Sequence, residues 1–237
     1  MSWWQNLFGR PPALAEAQHQ ALAAYRALPK CDSAGKLDAQ RFIVVDVESS
    51  GLNLSTDRLI AIGAVAVEHG AVMLDQGFEV VLQQAAPSSV DNILIHGIGG
   101  TSQTTGMAPA AALLAFLAYV KNSPLVAYHA PFDRSMIDTA TQATLGIKIH
   151  NPWLDLAYLA PALFPELAKG SKQPRALDDW TNNFAIANTN RHNAVADALA
   201  TAQLLLVLLS RAQQQESQGG RLRDLIQMEK AAHWLAR

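Results

Sequence analysis

The sequence predicts an α/β protein in which a mixed β-sheet is flanked by helices. Three apolar segments follow one another between residues 42 and 82 with turn signals around them, which is typical of consecutive strands. Helical and strand-like segments then alternate, as they do in α/β proteins. Half of the 237 residues are apolar, so the chain can bury a large core.

The strands are predicted from short apolar runs. Residues 42–47, 59–67 and 72–82 are such runs, the first of them too short for a typical helix, and Gly70 is among the turn signals. We therefore expect a meander of three strands. A fourth, short buried strand is expected at residues 125–128.

Helices are predicted where apolar residues recur at helical spacing or where Ala and Leu dominate. The expected helices are residues 11–28, 109–120, 131–145, 153–164, 176–184, 194–209 and 222–235. Two polar segments, residues 31–40 and 213–220, are predicted to be linkers.

The length fits one catalytic unit with modest extensions better than two full domains. We predict an N-terminal helical extension at residues 1–40, a catalytic domain at 41–211, and a linker with a C-terminal helix at 212–237. The two extensions could dock a partner, pack on their own domain or pair two copies in a homodimer.

Cysteine content and the N-terminus bear on the cellular setting. The lone Cys31 excludes an intrachain disulfide and a four-cysteine zinc site, so a reducing compartment, the cytoplasm, is predicted. Residues 1–10 include Trp3, Trp4, Leu7 and Phe8 but no long apolar run, so we expect neither a signal peptide nor stable membrane insertion. These apolar residues either pack on the body, which the burial of aromatic residues favours, or make transient contact with a membrane or a partner.

The net charge of −2 gives no support to phosphate binding, because nucleic-acid binders usually carry an excess of Lys and Arg. The charge nevertheless includes four acids that the following motifs single out. Without those four acids the chain would carry +2.

The first motif lies in FIVVDVESSGL, where Asp46 and Glu48 end the first predicted strand. Residues two apart on a strand project from the same face, so the two carboxylates could share a cation. Strand-terminal acids also serve as turn or cap residues, and D-x-E alone does not distinguish the two roles.

The second motif is PLVAYHAPFDRSMI, in which a short strand runs into a helix with Pro131 in its first turn. Asp133 then lies in that first turn. An acid there complements the helix dipole, so a structural role is also open if the segment is considered alone.

The third motif is RHNAVADALATAQLL, where His192 precedes Asp197 by five residues and Asn193 is a candidate N-cap. The two side chains converge only if His192 lies on the loop before the helix. His192 could instead be a surface or capping residue. Asp197 sits among alanines and leucine, where an acid needs a partner.

In this order, D-x-E, the later aspartate and H-x4-D together resemble the DEDDh exonucleases, the group that contains the proofreading epsilon subunit of bacterial DNA polymerase III, ribonuclease T and oligoribonuclease. The resemblance runs from about residue 41 to residue 210. It is supported by residues 58–67 (RLIAIGAVAV), His96-Gly97-Ile98, Asp155-Leu156 and residues 177–180. It implies a ribonuclease H-like fold.

Two motifs depart from the family pattern. Ser49 and Ser50 replace the two threonines of D-x-E-T-T-G-L, which keeps the hydroxyls and loses the methyl groups. Tyr128 and His129 stand where the family has His-Asn in H-N-A-x-F-D, so a polar contact that the asparagine could make near the nucleotide is in question.

The resemblance implies hydrolysis with two Mg²⁺ or Mn²⁺ ions held by Asp46, Glu48, Asp133 and Asp197, oxygen ligands that suit hard cations. Asp46 would bridge both ions, and His192 would accept a proton from the attacking water. The implied substrate is a single-stranded or frayed 3′ end of DNA, and the products are nucleoside 5′-monophosphates.

Further residues are implied to bind the terminal nucleotide: the backbone at Ser49 and Gly51, the side chain of Leu52, and more weakly His96 and Phe132. Leu52 could equally be a core residue, and Phe132 is better explained as structural. A loop flanked by Lys169, Lys172 and Arg175 could hold phosphates or be a solvated surface loop.

Three functions stay open. The chain could be a DNA exonuclease, an RNA 3′-end trimming exonuclease, or a non-catalytic module that binds nucleic acid or a polymerase. Sugar preference depends on pocket contacts that the sequence does not reveal. No basic patch for gripping a duplex is evident, so unpaired ends are the expected substrate.

Overall fold

The computed structural model describes residues 14–168, 176–187, 193–215 and 220–235. They form one five-stranded sheet in the order β3-β2-β1-β4-β5. The strands are β1 (Phe42–Ser49), β2 (Leu59–Glu68), β3 (Ala71–Val81), β4 (Leu125–Ala127) and β5 (Trp153–Asp155). The first three form an antiparallel meander, and β4 and β5 continue the sheet from β1 in parallel.

Nine α-helices lie among the described residues. They are α1 (Glu16–Arg26), α2 (Val90–His96), α3 (Gly100–Thr104), α4 (Pro109–Val120), α5 (Ala130–Leu145), α6 (Leu156–Leu163), α7 (Leu177–Asn183), α8 (Ala194–Gln214) and α9 (Leu222–Leu235). A short 3₁₀ turn occupies Leu37–Ala39.

Alternation along β1 divides the core into two layers. Ile43, Val45 and Val47 face a layer that contains residues of α4 and α5. Phe42 and Val44 face the opposite layer, where α6 and α8 pack. Because side chains alternate along a strand, Asp46 and Glu48 lie on the α8 side of the sheet.

Among the described residues, α8 is the one helix long and apolar enough to cross a membrane by length and composition alone. About half of its apolar window, 56%, is buried inside the protein. Its leucines fill the layer over β1 and β2, so packing in the core accounts for this composition.

Both extensions pack on their own domain. Helix α1 lies against α4 and buries Leu22 in the core. Helix α9 lies against α6 and β5 and buries Leu222 and Leu225. The described helices of both extensions thus contact the body of their own domain, which is one of the three possibilities that the sequence left open.

The structure confirms the fold class and corrects four details. Residues 153–155 are an edge strand rather than the start of a helix, and the short helices α2 and α3 were not predicted. The N-terminal helix begins at Glu16, and the predicted linker at residues 31–40 contains the 3₁₀ turn with buried Leu37. A strand of three residues is too short for its alternation of apolar and polar residues to be recognised in the sequence.

Candidate active site

The four acids singled out by the sequence come from three elements that meet at the carboxyl end of β1. Asp46 and Glu48 stand on β1, Asp133 is in the first turn of α5, and Asp197 is in the first turn of α8. Both helices therefore direct their amino ends, which favour negative charge, toward the same edge of the sheet.

Helix α8 begins where the sequence predicts. The Asn193 side chain accepts a hydrogen bond from the Ala196 backbone N–H, with Oδ1 and N 3.0 Å apart, so it is the N-cap. The cap fixes the first turn, in which Asp197 is buried. Glu48 is close enough to Asp197 for the two charges to interact.

Gly63 allows the first residues of α8 to lie in close contact with strand β2. It is the neighbour of Asp46 on β2. A Cβ built on Gly63 would lie 2.3 Å from the Ala194 carbonyl carbon and 2.4 Å from the Val195 nitrogen. Only glycine therefore lets the backbone that leads to Asp197 approach the strand that carries Asp46 so closely.

Asp133 is tied directly to β1. Its Oδ1 accepts a hydrogen bond from the Val47 backbone N–H at 3.2 Å, and its side chain is buried. Val47 lies between Asp46 and Glu48, so this bond sets the position of α5 relative to both acids. The helix itself follows His129, which has left-handed backbone angles with φ 66°.

Asp155, at the end of β5, secures that left-handed turn. Its Oδ1 accepts hydrogen bonds from the backbone N–H groups of His129 at 3.0 Å and of Ala157 at 2.9 Å. The residue is only 4% exposed, and no hydrogen-bond partner for its Oδ2 occurs among the described residues. Asp155 thus acts on Asp133 through the turn that precedes α5.

Burial and mutual repulsion raise the pKa of the acids at this edge. Burial, followed by the charge of Asp197, raises the pKa of Glu48 to about 8. Burial also raises the pKa of Asp133 well above its ordinary value, and nearby Asp155 and Glu48 raise it further. The surroundings therefore disfavour negative charge unless a cation is added.

This donor set fits hard divalent cations, because it consists of carboxylate oxygens, the ligands that Mg²⁺ and Mn²⁺ prefer. The acids nevertheless do not form a closed cluster. No group of three His, Cys, Asp or Glu side chains is arranged to hold a metal ion within the described ranges.

Short hydrogen bonds fix the conformation of the loop after β1. Ser49 Oγ donates to the Gly51 carbonyl at 2.6 Å, and Ser50 Oγ donates to Asp57 Oδ1 at 2.8 Å. A Cβ on Gly51 would lie 2.5 Å from Asp57 Oδ2, so any larger residue there would displace the Asp57 carboxylate. Leu52 is 85% exposed, which excludes the core role that the sequence left open for it.

His96 braces this loop from α2. Its Nδ1 accepts from the Ile98 N–H at 2.9 Å, and its Nε2 lies 2.9 Å from Asn92 Oδ1. Asn92 Nδ2 in turn donates to the Ser49 carbonyl at 3.0 Å. Burial lowers the pKa of His96, which favours the neutral ring that this chain of bonds requires.

The remaining predicted residues fall into two groups. Phe132 packs against the core layer between the sheet and α5, in agreement with the structural explanation. His192, Lys169, Lys172 and Arg175 lie outside the described residues. The described chain resumes at Asn193, directly after His192.

A family model described as "RNase_T: Exonuclease" matches residues 43–205, which contain all four acids and His192. The chain belongs to this exonuclease family. The family domain thus covers β1 to β5 and most of α8, and the extensions lie outside it.

Relatives and solved structures agree with this assignment. A DNA polymerase III subunit epsilon-like protein of Rhodobacter capsulatus is 29% identical over 73% of the chain and 24% of its own length. A PolC-type DNA polymerase III of Caldanaerobacter subterraneus is 31% identical over 73% of the chain and 12% of its own length. The chain thus spans a quarter or less of these two relatives.

Two solved structures share the fold. E. coli Exonuclease I in complex with a dT13 oligonucleotide superposes with a TM-score of 0.64 at 18% identity, over 75% of this chain and 43% of that one. Exonuclease X in complex with 5′ overhanging duplex DNA gives 0.59 at 18% identity, over 79% of this chain and 99% of that one. The ribonuclease H-like fold predicted from the resemblance is confirmed.

Three positioning residues escaped the sequence analysis. Gly63 was visible as a glycine inside a strand, which can indicate close backbone approach. Asp155 was recognisable only as part of the Asp155-Leu156 pair, and Asn92 gave no signal. The partners of Asp155 and Asn92 lie 26 and 43 residues away in sequence, so no local pattern reveals them.

Proposed function

We propose that the chain is a 3′-to-5′ exonuclease that removes nucleotides from single-stranded or frayed DNA 3′ ends. The observation that carries the proposal is the meeting of Asp46, Glu48, Asp133 and Asp197 at the carboxyl end of β1 in a chain of the exonuclease family. Residues 41–211 would form the catalytic unit, with residues 1–40 and 212–237 as extensions.

The four acids would hold two Mg²⁺ or Mn²⁺ ions. Such ions supply Lewis-acid chemistry for phosphodiester hydrolysis. Asp46 is central to the set because it lies on the middle strand between the amino ends of α5 and α8. The raised pKa of Glu48 and of Asp133 supports the proposal, since cation binding would relieve the unfavourable charge.

His192 would accept the proton of the attacking water. In the sequence it directly precedes Asn193, the N-cap of the helix that carries Asp197. General-base help of this kind contributes about 10² to 10⁴ in rate. The bond between phosphorus and the 3′ oxygen then breaks, and a nucleoside 5′-monophosphate leaves.

Leu52 would pack on the terminal base, with the backbone at Ser49 and Gly51 beside it. Its exposure beside the acids supports this role, because an exposed large apolar side chain at a site rim suits a nucleobase face. His96 would act on this loop through Asn92 rather than by touching the nucleotide.

The test is release of nucleotides from labelled DNA and RNA oligonucleotides of matched sequence, with Mg²⁺ or Mn²⁺. Asp46→Ala and Asp197→Ala should abolish release, whereas Asp75→Ala, which removes an exposed acid on β3, should cleave like the wild type. Cleavage by either site variant at the wild-type rate would show that the acids are misassigned.

The same oligonucleotides separate the other functions. Faster turnover of RNA would make the chain a 3′-end trimming ribonuclease. Binding without release in either ion would make it a non-catalytic module. Because the two relatives quoted are named as DNA polymerase III proteins, a polymerase is the protein partner that we propose.

A further inference from the structure

A cavity lies at the edge of the sheet opposite to the four acids. It has a volume of about 420 Å³ and is open to solvent beside the amino ends of β4 and β5. Cavities of this size accommodate small-molecule ligands. Its wall includes Tyr25 of α1, Lys121 after α4 and Asn151 before β5.

The cavity is cationic in a protein whose net charge is −2. Arg26, Lys30, Lys121 and His150 line it, and none of them forms an ion pair with any described residue. No acid occurs among its described lining residues. An anion entering the cavity would therefore meet three permanent positive charges.

Asp32 and Asp138 lie close enough to act on the lining residues Cys31 and Tyr25, but in the described part of the chain neither acid forms an ion pair with a cation of the cavity. Asp138 is engaged by Arg134, 3.6 Å away, and by the Ile149 N–H, and Asp32 accepts from the Ala34 N–H. Cys31 also lines the cavity. Burial and the charge of Asp32 raise the pKa of its thiol to about 11, so the sulfur stays neutral.

Lys121 has backbone angles that residues other than glycine rarely adopt. Its backbone angles are φ 50° and ψ −129°, and the Ser123 N–H donates to the Val120 carbonyl at 3.0 Å. These are features of a type II′ turn, whose first central position favours glycine. Strained positions of this kind cluster at ligand sites.

Buried polar contacts fix that turn. Asn151, 8% exposed, donates from Nδ2 to the carbonyl oxygens of Lys121 at 3.0 Å and Ser123 at 2.7 Å. Its Oδ1 accepts from the Tyr25 hydroxyl at 2.6 Å. Hydrogen bonds of Asn151 thereby join the N-terminal helix, the turn after α4 and the segment before β5 in one wall of the cavity.

We propose that this cavity binds a small phosphorylated ligand that has an apolar or planar part. Lys121, Lys30 and Arg26 would contact the phosphoryl oxygens, and Tyr25, Leu28 and Ile147 would cover the remainder. The size of the cavity and the aromatic side chain favour a nucleoside monophosphate over bare phosphate. The cavity lies across the sheet from the proposed catalytic acids, so the inference does not depend on the proposed function.

The test is calorimetric titration of the full chain with dAMP, inorganic phosphate and deoxyadenosine, in EDTA so that the acidic edge holds no divalent ion. We expect dAMP to bind more tightly than phosphate and deoxyadenosine not to bind. Lys121→Gly should weaken dAMP binding about tenfold or more, the effect of losing a charged hydrogen bond.

Lys121→Gly should at the same time keep or raise the melting temperature, because glycine adopts the turn without strain. His69→Gly is the matched control: His69 is also at φ 50°, in the exposed turn between β2 and β3, and its replacement should leave dAMP affinity unchanged. Lys30→Gln provides a second cavity variant, expected to weaken dAMP binding as Lys121→Gly does.

Nucleotide release from oligonucleotides should be unaffected by Lys121→Gly, which separates this inference from the exonuclease proposal. The inference is overturned if the wild type binds neither dAMP nor phosphate at millimolar concentration. It is also overturned if deoxyadenosine binds as well as dAMP, or if both cavity variants keep wild-type affinity.

Discussion

Replacing Gly63 by alanine tests whether the close approach of α8 to β2 sets the catalytic geometry. The added Cβ would lie 2.3 Å from the Ala194 carbonyl carbon, 2.4 Å from the Val195 nitrogen and 2.7 Å from the Ala194 Cβ. These are backbone and near-backbone atoms at the start of α8. They cannot rotate away, so the helix itself must move.

The required movement can be worked out from these distances. Ordinary contacts of a Cβ begin at 3.4 Å, so the first turn of α8 must retreat by about 1 Å. Overpacking of this kind costs about 1 to 3 kcal/mol of stability. Asp197 lies in the displaced turn, and a misplacement of about 1 Å at a catalytic group can cost about 10²-fold in rate.

The assay combines thermal unfolding with nucleotide release at saturating Mn²⁺. The control is Gly77→Ala on the adjacent strand β3, where the nearest atom to an added Cβ is 3.9 Å away. We expect Gly63→Ala to lower the rate about 10²-fold beyond any effect of Gly77→Ala. A Gly63→Ala protein that is destabilised but cleaves at the control rate would refute the coupling between this packing and catalysis.

Three further predictions concern charge and proton transfer. Because the pKa of Glu48 is raised from 4.5 to about 8, its contribution to stability is complete below about pH 4.5 and is lost as the pH rises through 8. In EDTA the melting temperature should therefore fall between pH 5 and 9, and the fall should be less steep in Glu48→Gln. Addition of Mg²⁺ should offset the fall. Equal slopes of melting temperature against pH in the wild type and in Glu48→Gln would show that Glu48 is not its cause. Asp155→Ala removes the acceptor for two backbone N–H groups and should lower stability by about 1 to 3 kcal/mol. It should also weaken Mn²⁺ binding measured by calorimetry. Asp155→Asn, which keeps an acceptor oxygen, should retain most of the stability and of the Mn²⁺ affinity. Identical behaviour of the two Asp155 variants would exclude the positioning role. His192→Ala should lose about 10² to 10⁴ in single-turnover rate and keep its affinity for Mn²⁺. The rate of the wild type should fall on the acid side of about pH 6.5. Loss of Mn²⁺ affinity in His192→Ala would show that His192 is a metal ligand.

The sequence by itself determined the elements that carry the chemistry. Alternation along β1 put Asp46 and Glu48 on one face, and the Asn193 cap placed Asp197 in the first turn of α8. Helix α4 and helix α9 have the predicted bounds. These features follow from side-chain periodicity and helix capping. Both depend on residues that are close in sequence, so the local sequence is enough to predict them.

Tertiary structure decided how those elements meet. The Asp133 bond to Val47 spans 86 residues, and Asp155 caps a turn 26 residues before it. Residues 153–155 are a strand because β4 offers them a parallel partner, although their own pattern continued into a helix. The packing of α1 and α9 on the domain and the cavity around Lys121 likewise depend on contacts between distant segments. Such contacts form only when distant segments pack together in the folded core, so no local sequence pattern could reveal them.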